Sequence, residues 1–280
     1  MPGTVSDAPQ ETTTRLEARG VTLLYGERTI SRDLTFKVPD RLFTVIVGPN
    51  ACGKSTLLRA LARILRPGAG QVVLDGKQID RIPARDVART LGLLPQSSVA
   101  PDGITVADLV ARGRYPHQTF LQRWSEADET AVAWAMRTAR VEDLSGRAID
   151  ELSGGQRQRV WIAMVLAQGT PLLLLDEPTT FLDIAHQIEL LNLLRDLNRR
   201  QGHTVVAVLH DLNQACRYAD HIVAMRDGRI LAEGDPRSVM TAERVREVFG
   251  LASVVIADPV TGDPLIVPLD EPAAPPPEML

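Results

Sequence analysis

The segment Gly48-Pro49-Asn50-Ala51-Cys52-Gly53-Lys54-Ser55-Thr56 holds the residues best suited to chemistry. Glycines at its start and before Lys54 let the backbone curl so that successive N–H groups converge on an anion, and the start of a following helix adds to that positive potential. Lys54 contributes a full charge, and the Ser55 hydroxyl is a hard oxygen donor for a magnesium ion carried with a phosphate. The spacing G-x-x-x-x-G-K-[ST] lies between an apolar run, Thr44 to Val47, and a helix-prone run, Leu57 to Leu65. That strand–loop–helix context is what a phosphate cradle requires. The segment therefore predicts nucleotide binding, without choosing among kinases, GTPases, helicases and transport ATPases.

A second run, Leu172-Leu173-Leu174-Leu175-Asp176-Glu177, reads as a buried strand ending in two carboxylates. In open α/β folds that end of a strand faces the ligand. Asp176 is placed to hold a magnesium shell, and Glu177 to polarise an attacking water. By itself the pair is equally readable as two solvated acids at a strand end.

These groups need a scaffold, and the chain supplies an ordinary globular one, with 44% hydrophobic and 24% charged residues. Apolar runs at Phe43 to Val47, Val72 to Leu74, Leu91 to Leu94, Leu172 to Leu175, Val205 to Leu209 and His221 to Met225 alternate with helical patterns. The alternation predicts α/β layering around a largely parallel sheet. Residues 105–168 break the rhythm: Val106, Leu109 and Val110, then Ala131, Trp134, Ala135 and Thr138, keep helical spacing, which predicts a helical insertion. Val254 to Ile256 and Leu265 to Val267 flank a Pro- and Gly-punctuated turn and predict a small hairpin. Residues 1–14 and the proline-rich stretch after Asp270 read as loose tails.

Composition also excludes classes. A formal charge of −4 with scattered Lys and Arg supports no nucleic-acid partner. Cys52 and Cys216 lie far apart without metal-ligand spacing, which fits a reducing cytosol rather than a disulfide framework. The N-terminus has no signal-peptide core, and no run reaches the length of a membrane span, so any service to a membrane is expected from outside the bilayer.

Leu152-Ser153-Gly154-Gly155-Gln156, taken with the phosphate loop and the Asp-Glu strand, resembles the signature of ABC ATPases from about Arg15 to Gly250. The resemblance implies a P-loop ATPase core at 15–250 with a mainly parallel sheet, an antiparallel β subdomain and a helical signature subdomain at about 105–168. Residues 251–280 then form a hairpin and tail. It implies Tyr25 for adenine stacking, Gly48 to Thr56 for the phosphates, and Ser55, Asp176 and Gln96 for Mg2+. Glu177, with His210 and Gln96, carries hydrolysis of ATP, and Asp183 communicates between sites. Two copies are expected head to tail, so that Ser153, Gly154, Gly155 and Gln156 complete the nucleotide site of the partner. Gln96 and the helical insertion are expected to touch a permease at the cytoplasmic face of the cell membrane, and a substrate-binding protein acts indirectly.

With one ATPase core and no spanning segment, the chain is similar to importer subunits. Ala111-Arg112-Gly113-Arg114-Tyr115-Pro116-His117-Gln118, the Ala51-Cys52 pair and Glu177 to Gln187 look like the ATPases of ferric-siderophore importers. Vitamin B12 and haem importers share much of the pattern, and a non-transport ABC switch or a metabolic P-loop kinase are the readings from other classes. His117 and His186 lack spaced ligand partners and are read as structural or surface residues rather than iron-binding ones. Cys52, at the start of a helix, is expected to be a reactive thiolate that MgATP protects.

Overall fold

The computed structural model describes residues 14–118 and 124–270. Residues 1–13 of the expected leading tail and 271–280 of the proline-rich tail lie outside the described residues, and Thr14 already opens a strand. In chain order the elements are β1 (Thr14–Tyr25), β2 (Arg28–Pro39), β3 (Phe43–Val47), α1 (Lys54–Leu61), β4 (Ala69–Leu74), β5 (Lys77–Gln78), α2 (Ala84–Thr90), β6 (Leu91–Leu94), α3 (Val106–Ala111), α4 (Glu126–Thr138), α5 (Gly154–Ala167), β7 (Leu172–Asp176), α6 (Ile184–Gln201), β8 (Thr204–Val208), α7 (Leu212–Tyr218), β9 (His221–Arg226), β10 (Arg229–Gly234), α8 (Pro236–Val239), α9 (Ala242–Phe249), β11 (Ser253–Ala257) and β12 (Pro264–Pro268).

Strands β3, β7 and β8 are buried at every residue, as strands covered on both faces must be, and their sequences are accordingly continuous apolar runs. They form the middle of a sheet ordered β10-β9-β3-β8-β7-β6. β3 pairs in parallel with β8 and β9, β7 with β8, and β6 with β7; β10 closes one edge antiparallel to β9. Parallel pairing points the carboxyl ends of β3, β6, β7 and β8 to the same edge.

A second, antiparallel sheet is ordered β2-β1-β4-β5. It places Val72 to Leu74 against β1, not in the parallel sheet with whose strands the sequence groups that run. Its inner residues Leu16, Ala18, Phe36, Val38, Val72 and Leu74 join one face of α1 and the near face of the parallel sheet in one core cluster. A second cluster lies on the other face, under the helices α3–α5 and α6–α9.

The stretch 105–168 is helical, with one isolated bridge, Thr105 to Ala148, among its described residues. On α3 the expected residues are the buried ones. On α4 the buried stripe is Val132, Ala135 and Met136 with Ala139 beyond the helix, so Ala131, Trp134 and Thr138 are only partly covered. The motif Arg112–His117 forms a tight 3-10 segment that packs this layer. A Cβ on Gly113 would meet the Met164 carbonyl at 2.2 Å, and His117 Nε2 lies 2.8 Å from the Gln168 carbonyl.

Arg114 is the buried centre of the layer. Its Nε donates to Asp128 Oδ1 at 2.8 Å and its Nη1 to the Ala167 carbonyl at 2.8 Å, linking α4 to the end of α5. Asp128 also accepts from the N–H of Ser125, the N-cap of α4, at 3.1 Å. Burial pushes the Asp128 carboxyl up, but the Arg114 and Ser125 hydrogen bonds outweigh it and hold the group below the usual carboxylate range. Its contribution is therefore fully present above the unfolded carboxylate pKa of about 3.9 and is lost as pH falls through the lower folded value. Asp128→Asn, which leaves Arg114 without its anion, is expected to cost about 3 kcal/mol and lower the melting temperature by roughly 5 °C at neutral pH. In thermal melts the two proteins should converge as pH falls below 4; a gap unchanged with pH would show that the charge is not the cause.

Candidate active site

The edge formed by the carboxyl ends of β3, β6, β7 and β8 carries the expected groups. β3 runs into Gly48, whose φ of 157° is one that residues with a side chain rarely adopt and whose missing Cβ is demanded by the Met225 carbonyl, 2.2 Å from where that carbon would lie. Gly53, at φ 109°, is the N-cap of α1 and would clash with Ile30 if it carried a side chain. No side-chain hydrogen bond caps α1 and no acid stands in its first turn, so its leading N–H groups are left for an anion. The Lys54 ammonium donates to the Gly48 and Pro49 carbonyls, both at 2.8 Å.

From β7, Asp176 reaches across to α1 and accepts from the Ser55 hydroxyl at 2.8 Å through Oδ1. Its other oxygen, Oδ2, is buried with no partner among the described residues. Burial raises the Asp176 carboxyl above its ordinary value, the neighbouring Glu177 raises it further, and Ser55, Arg59 and Lys54 oppose the shift. An orphaned carboxylate oxygen beside a serine hydroxyl suits a hard divalent cation that completes its shell with phosphate oxygens and water. No group of three or more His, Cys, Asp and Glu that could hold a metal occurs among the described residues.

Glu177 follows at φ 53°, a left-handed conformation that a glutamate adopts only at a cost, and this turns its side chain along the sheet edge. Its Oε1 lies 2.7 Å from His210 Nε2, beyond the end of β8, and its Oε2 accepts from the Thr180 hydroxyl at 3.3 Å. Gln96 follows β6. Tyr25, Arg28, Ile30, Asn50, Ala51, Gly53 to Thr56, Gln96, Glu177 and His210 line one open cleft of about 720 Å³. Tyr25, 70% exposed, stands at its rim where a flat ring has room to stack. Arg28, Ile30 and Thr180 escape sequence reasoning; only Thr180, three residues after Glu177 in a turn, leaves a spacing that suggests its contact.

Ser153, Gly154, Gly155 and Gln156 are not in that cleft. They open α5 on the surface, with Ser153 and Gln156 closing a reciprocal capping box at 3.2 and 3.1 Å. Gly154 lies against Phe181 and Gly155 against Phe181 and Leu182, and Gln158 donates to the Pro178 carbonyl at 3.1 Å, so the loop after Glu177 is tied to the start of α5. Asp183 caps α6, accepting from the His186 N–H at 2.9 Å and lying 2.8 Å from His186 Nδ1, which holds its carboxyl below the ordinary value. It too is outside the cleft, with Phe181 and Ile184 exposed on either side.

Cys52 overturns one expectation. Its residue is 6% exposed, and its sulfur sits 2.8 Å from where a Gly48 Cβ would be. Burial raises the thiol, and the opposing influence of Lys54 and the helix N–H groups does not cancel it. Nor does Pro49 to Thr56 present the sulfur to the cleft, whose lining includes Asn50, Ala51 and Gly53 but not Cys52.

A phosphate loop, a metal-ready aspartate, a glutamate–histidine pair and a detached Ser-Gly-Gly-Gln helix start define an ATP-binding cassette. Residues 31–180 match the family described as ABC transporter. The chain is 54% identical to the ferric enterobactin transport ATP-binding protein FepC of Escherichia coli over 92% of its own length and 96% of that protein, and 52% identical to the "Probable siderophore transport system ATP-binding protein YusV" of Bacillus subtilis over 89% and 90%. Among solved structures, one described as "a putative metal-chelate type ABC transporter" in an inward-facing conformation superposes with a TM-score of 0.79 at 29% identity, covering 92% of this chain and 99% of that one. A bacterial ABC transporter cassette in dimeric form gives 0.71 at 27%, covering 79% and 98%. The chain belongs to the ABC transporter family, as an ATP-binding subunit.

The burial of both thiols gives a direct expectation, since Cys216 is pushed up to about 12, chiefly by desolvation. Brief maleimide treatment of the native protein at pH 7 should label neither cysteine, with or without MgATP, and both should react once guanidinium unfolds the chain. Fast labelling of Cys52 that MgATP suppresses would contradict the buried thiol.

Proposed function

We propose that this chain is the ATP-hydrolysing subunit that powers import of ferric siderophores through a membrane permease. The observation that carries the reading is the Glu177–His210 pair at 2.7 Å, set in the same cleft as the phosphate loop and Gln96. The loop Gly48 to Thr56 binds the ATP phosphates, with Lys54 supplying charge, and Tyr25 stacks on the adenine. Asp176, Ser55 and Gln96 are the groups that would hold Mg2+, which when bound neutralises developing charge on the phosphates. Glu177 holds or accepts the proton of the attacking water, and His210 orients the Glu177 carboxylate and reaches toward the γ-phosphate.

The surface position of Ser153 to Gln156 supports an action on a second copy, because these groups can complete a nucleotide site only from across an interface. On this reading two copies close head to tail on ATP and part after hydrolysis, and the loop through Asp183 passes the state of one site to the other. Residues 15–250 form the ATPase domain, with 105–168 as its helical part turned, with Gln96, to the permease, and 251–280 as an appendage. No helix among the described residues is long and apolar enough to cross a membrane. On this reading the subunit attaches to the cytoplasmic face through that permease, and a substrate-binding protein delivers cargo from the far side. Siderophore cargo is supported by the identity to the two siderophore ATPases over nearly the whole chain.

Glu177→Gln keeps the shape of the side chain and removes its basicity. In the assembled transporter it should retain ATP binding and lower kcat by roughly a hundredfold or more, with closed dimers accumulating on MgATP. Near-normal turnover would remove Glu177 from the mechanism, and lost ATP binding would make its role structural.

Cells lacking the subunit should fail to take up at least one iron-loaded siderophore, while the extracellular binding protein still binds the chelate. Labelled-iron uptake at wild-type level together with loss of cobalamin or haem uptake would replace the cargo and leave the ATPase assignment standing.

A further inference from the structure

The ATPase reading leaves the hairpin β11–β12 without a task, yet the hairpin is docked by a specific pair of hydrogen bonds. Val254 pairs with Val267 and Ile256 with Leu265, while Val255 stands opposite Ile266. The Ile266 peptide turns the other way, toward α7: its N–H donates to Asn213 Oδ1 at 2.7 Å, and its carbonyl accepts from Asn213 Nδ2 at 3.3 Å. A side-chain amide carries donor and acceptor side by side as a peptide does, so Asn213 satisfies Ile266 as a neighbouring strand would.

The pairing is also selective. Strand periodicity puts Pro264, Ile266 and Pro268 on the same outward edge, and the prolines have no N–H to offer. Within β12, Ile266 is thus the residue able to form a two-way bond along that edge. Its side chain is 5% exposed and belongs to the main core cluster, which fixes the hairpin from below.

Asn213 lies three residues beyond His210, in the first turn of the short helix α7. The next residue, Gln214, donates its N–H to Asp211 Oδ1, the cap of α7, at 2.9 Å and its side-chain amide to Gln187 Oε1 at 2.8 Å; Gln187 in turn donates to the Leu182 carbonyl at 3.0 Å. One turn of α7 therefore joins the hairpin, the His210 backbone and the loop after Glu177. We propose that Asn213 is a positioning residue for ATP hydrolysis, clamping the C-terminal hairpin so that α7 holds His210 against Glu177. The inference deepens the hydrolytic reading and rests on it.

The test compares Asn213→Ala with Ile266→Ala in the full chain assembled with its permease. Asn213→Ala removes both hydrogen bonds and should lower kcat roughly tenfold to a hundredfold with the KM for ATP unchanged, because displacement of a reacting group costs turnover while the phosphate and adenine contacts remain. Ile266→Ala keeps the peptide hydrogen bonds to Asn213, and should lower the melting temperature while sparing both kcat and the KM for ATP. Wild-type kcat in Asn213→Ala, or equal loss of kcat in both variants, would overturn the positioning role. Glu177→Gln measured alongside separates the two levels: an active Glu177→Gln protein sinks the hydrolytic reading, whereas an inactive one beside a fully active Asn213→Ala protein sinks this inference alone.

Discussion

The structure depends on the parallel pairing of β3 with β8 and of β8 with β7. The register Val45 to Ala207 and Leu174 to Val206 sets three strand ends level, and the first residues past those ends are Gly48, Glu177 and, two past β8, His210. A parallel register cannot be made by a tight turn, so each strand needs a long crossover, and those crossovers hold the antiparallel sheet and the helical layer. A slip of one residue in β7 would turn Leu173 and Leu175 from one core cluster into the other and carry Asp176 away from Ser55. The core and the chemistry thus constrain each other through the same strands.

Much of this was legible because it is written in local patterns. The phosphate loop is contiguous, its strand and helix adjoin it, and the four leucines before Asp176 have no polar partner that would let them stand at a surface. The long strands β1 and β2 leave a weaker trace because their pairing shifts register at several points, among them between Ala18 and Val21 where Gly20 takes φ 55°, and each shift breaks the two-residue period. Val72 to Leu74 misleads for another reason: a short, wholly apolar run looks alike in parallel and antiparallel sheets. On α4 the residues Ala131 and Val132 are both apolar, and only packing decides which of two adjacent stripes turns inward.

Cys52 shows what sequence cannot weigh. Helix N–H groups and Lys54 favour a thiolate, and burial disfavours it; the balance depends on side-chain direction, and the Cys52 sulfur turns inward into the space left by the missing side chain of Gly48. The importer-like motif at Ala111 to Gln118 is similar in kind. Gly113, Arg114 and His117 pack the helical layer, so what these residues report directly is the shape of that layer rather than the identity of any cargo.

Lys54 has a consequence for how a nucleotide meets this loop. Its long side chain is already held at two carbonyls of the loop, Gly48 and Pro49, and is 5% exposed. A lysine that is mobile in the free protein loses about 0.5–1.5 kcal/mol of rotamer freedom when a ligand immobilises it. Here that ordering belongs to folding, so an arriving triphosphate meets a charge whose position is already fixed, and the entropy of binding reflects the ligand and its water more than the protein.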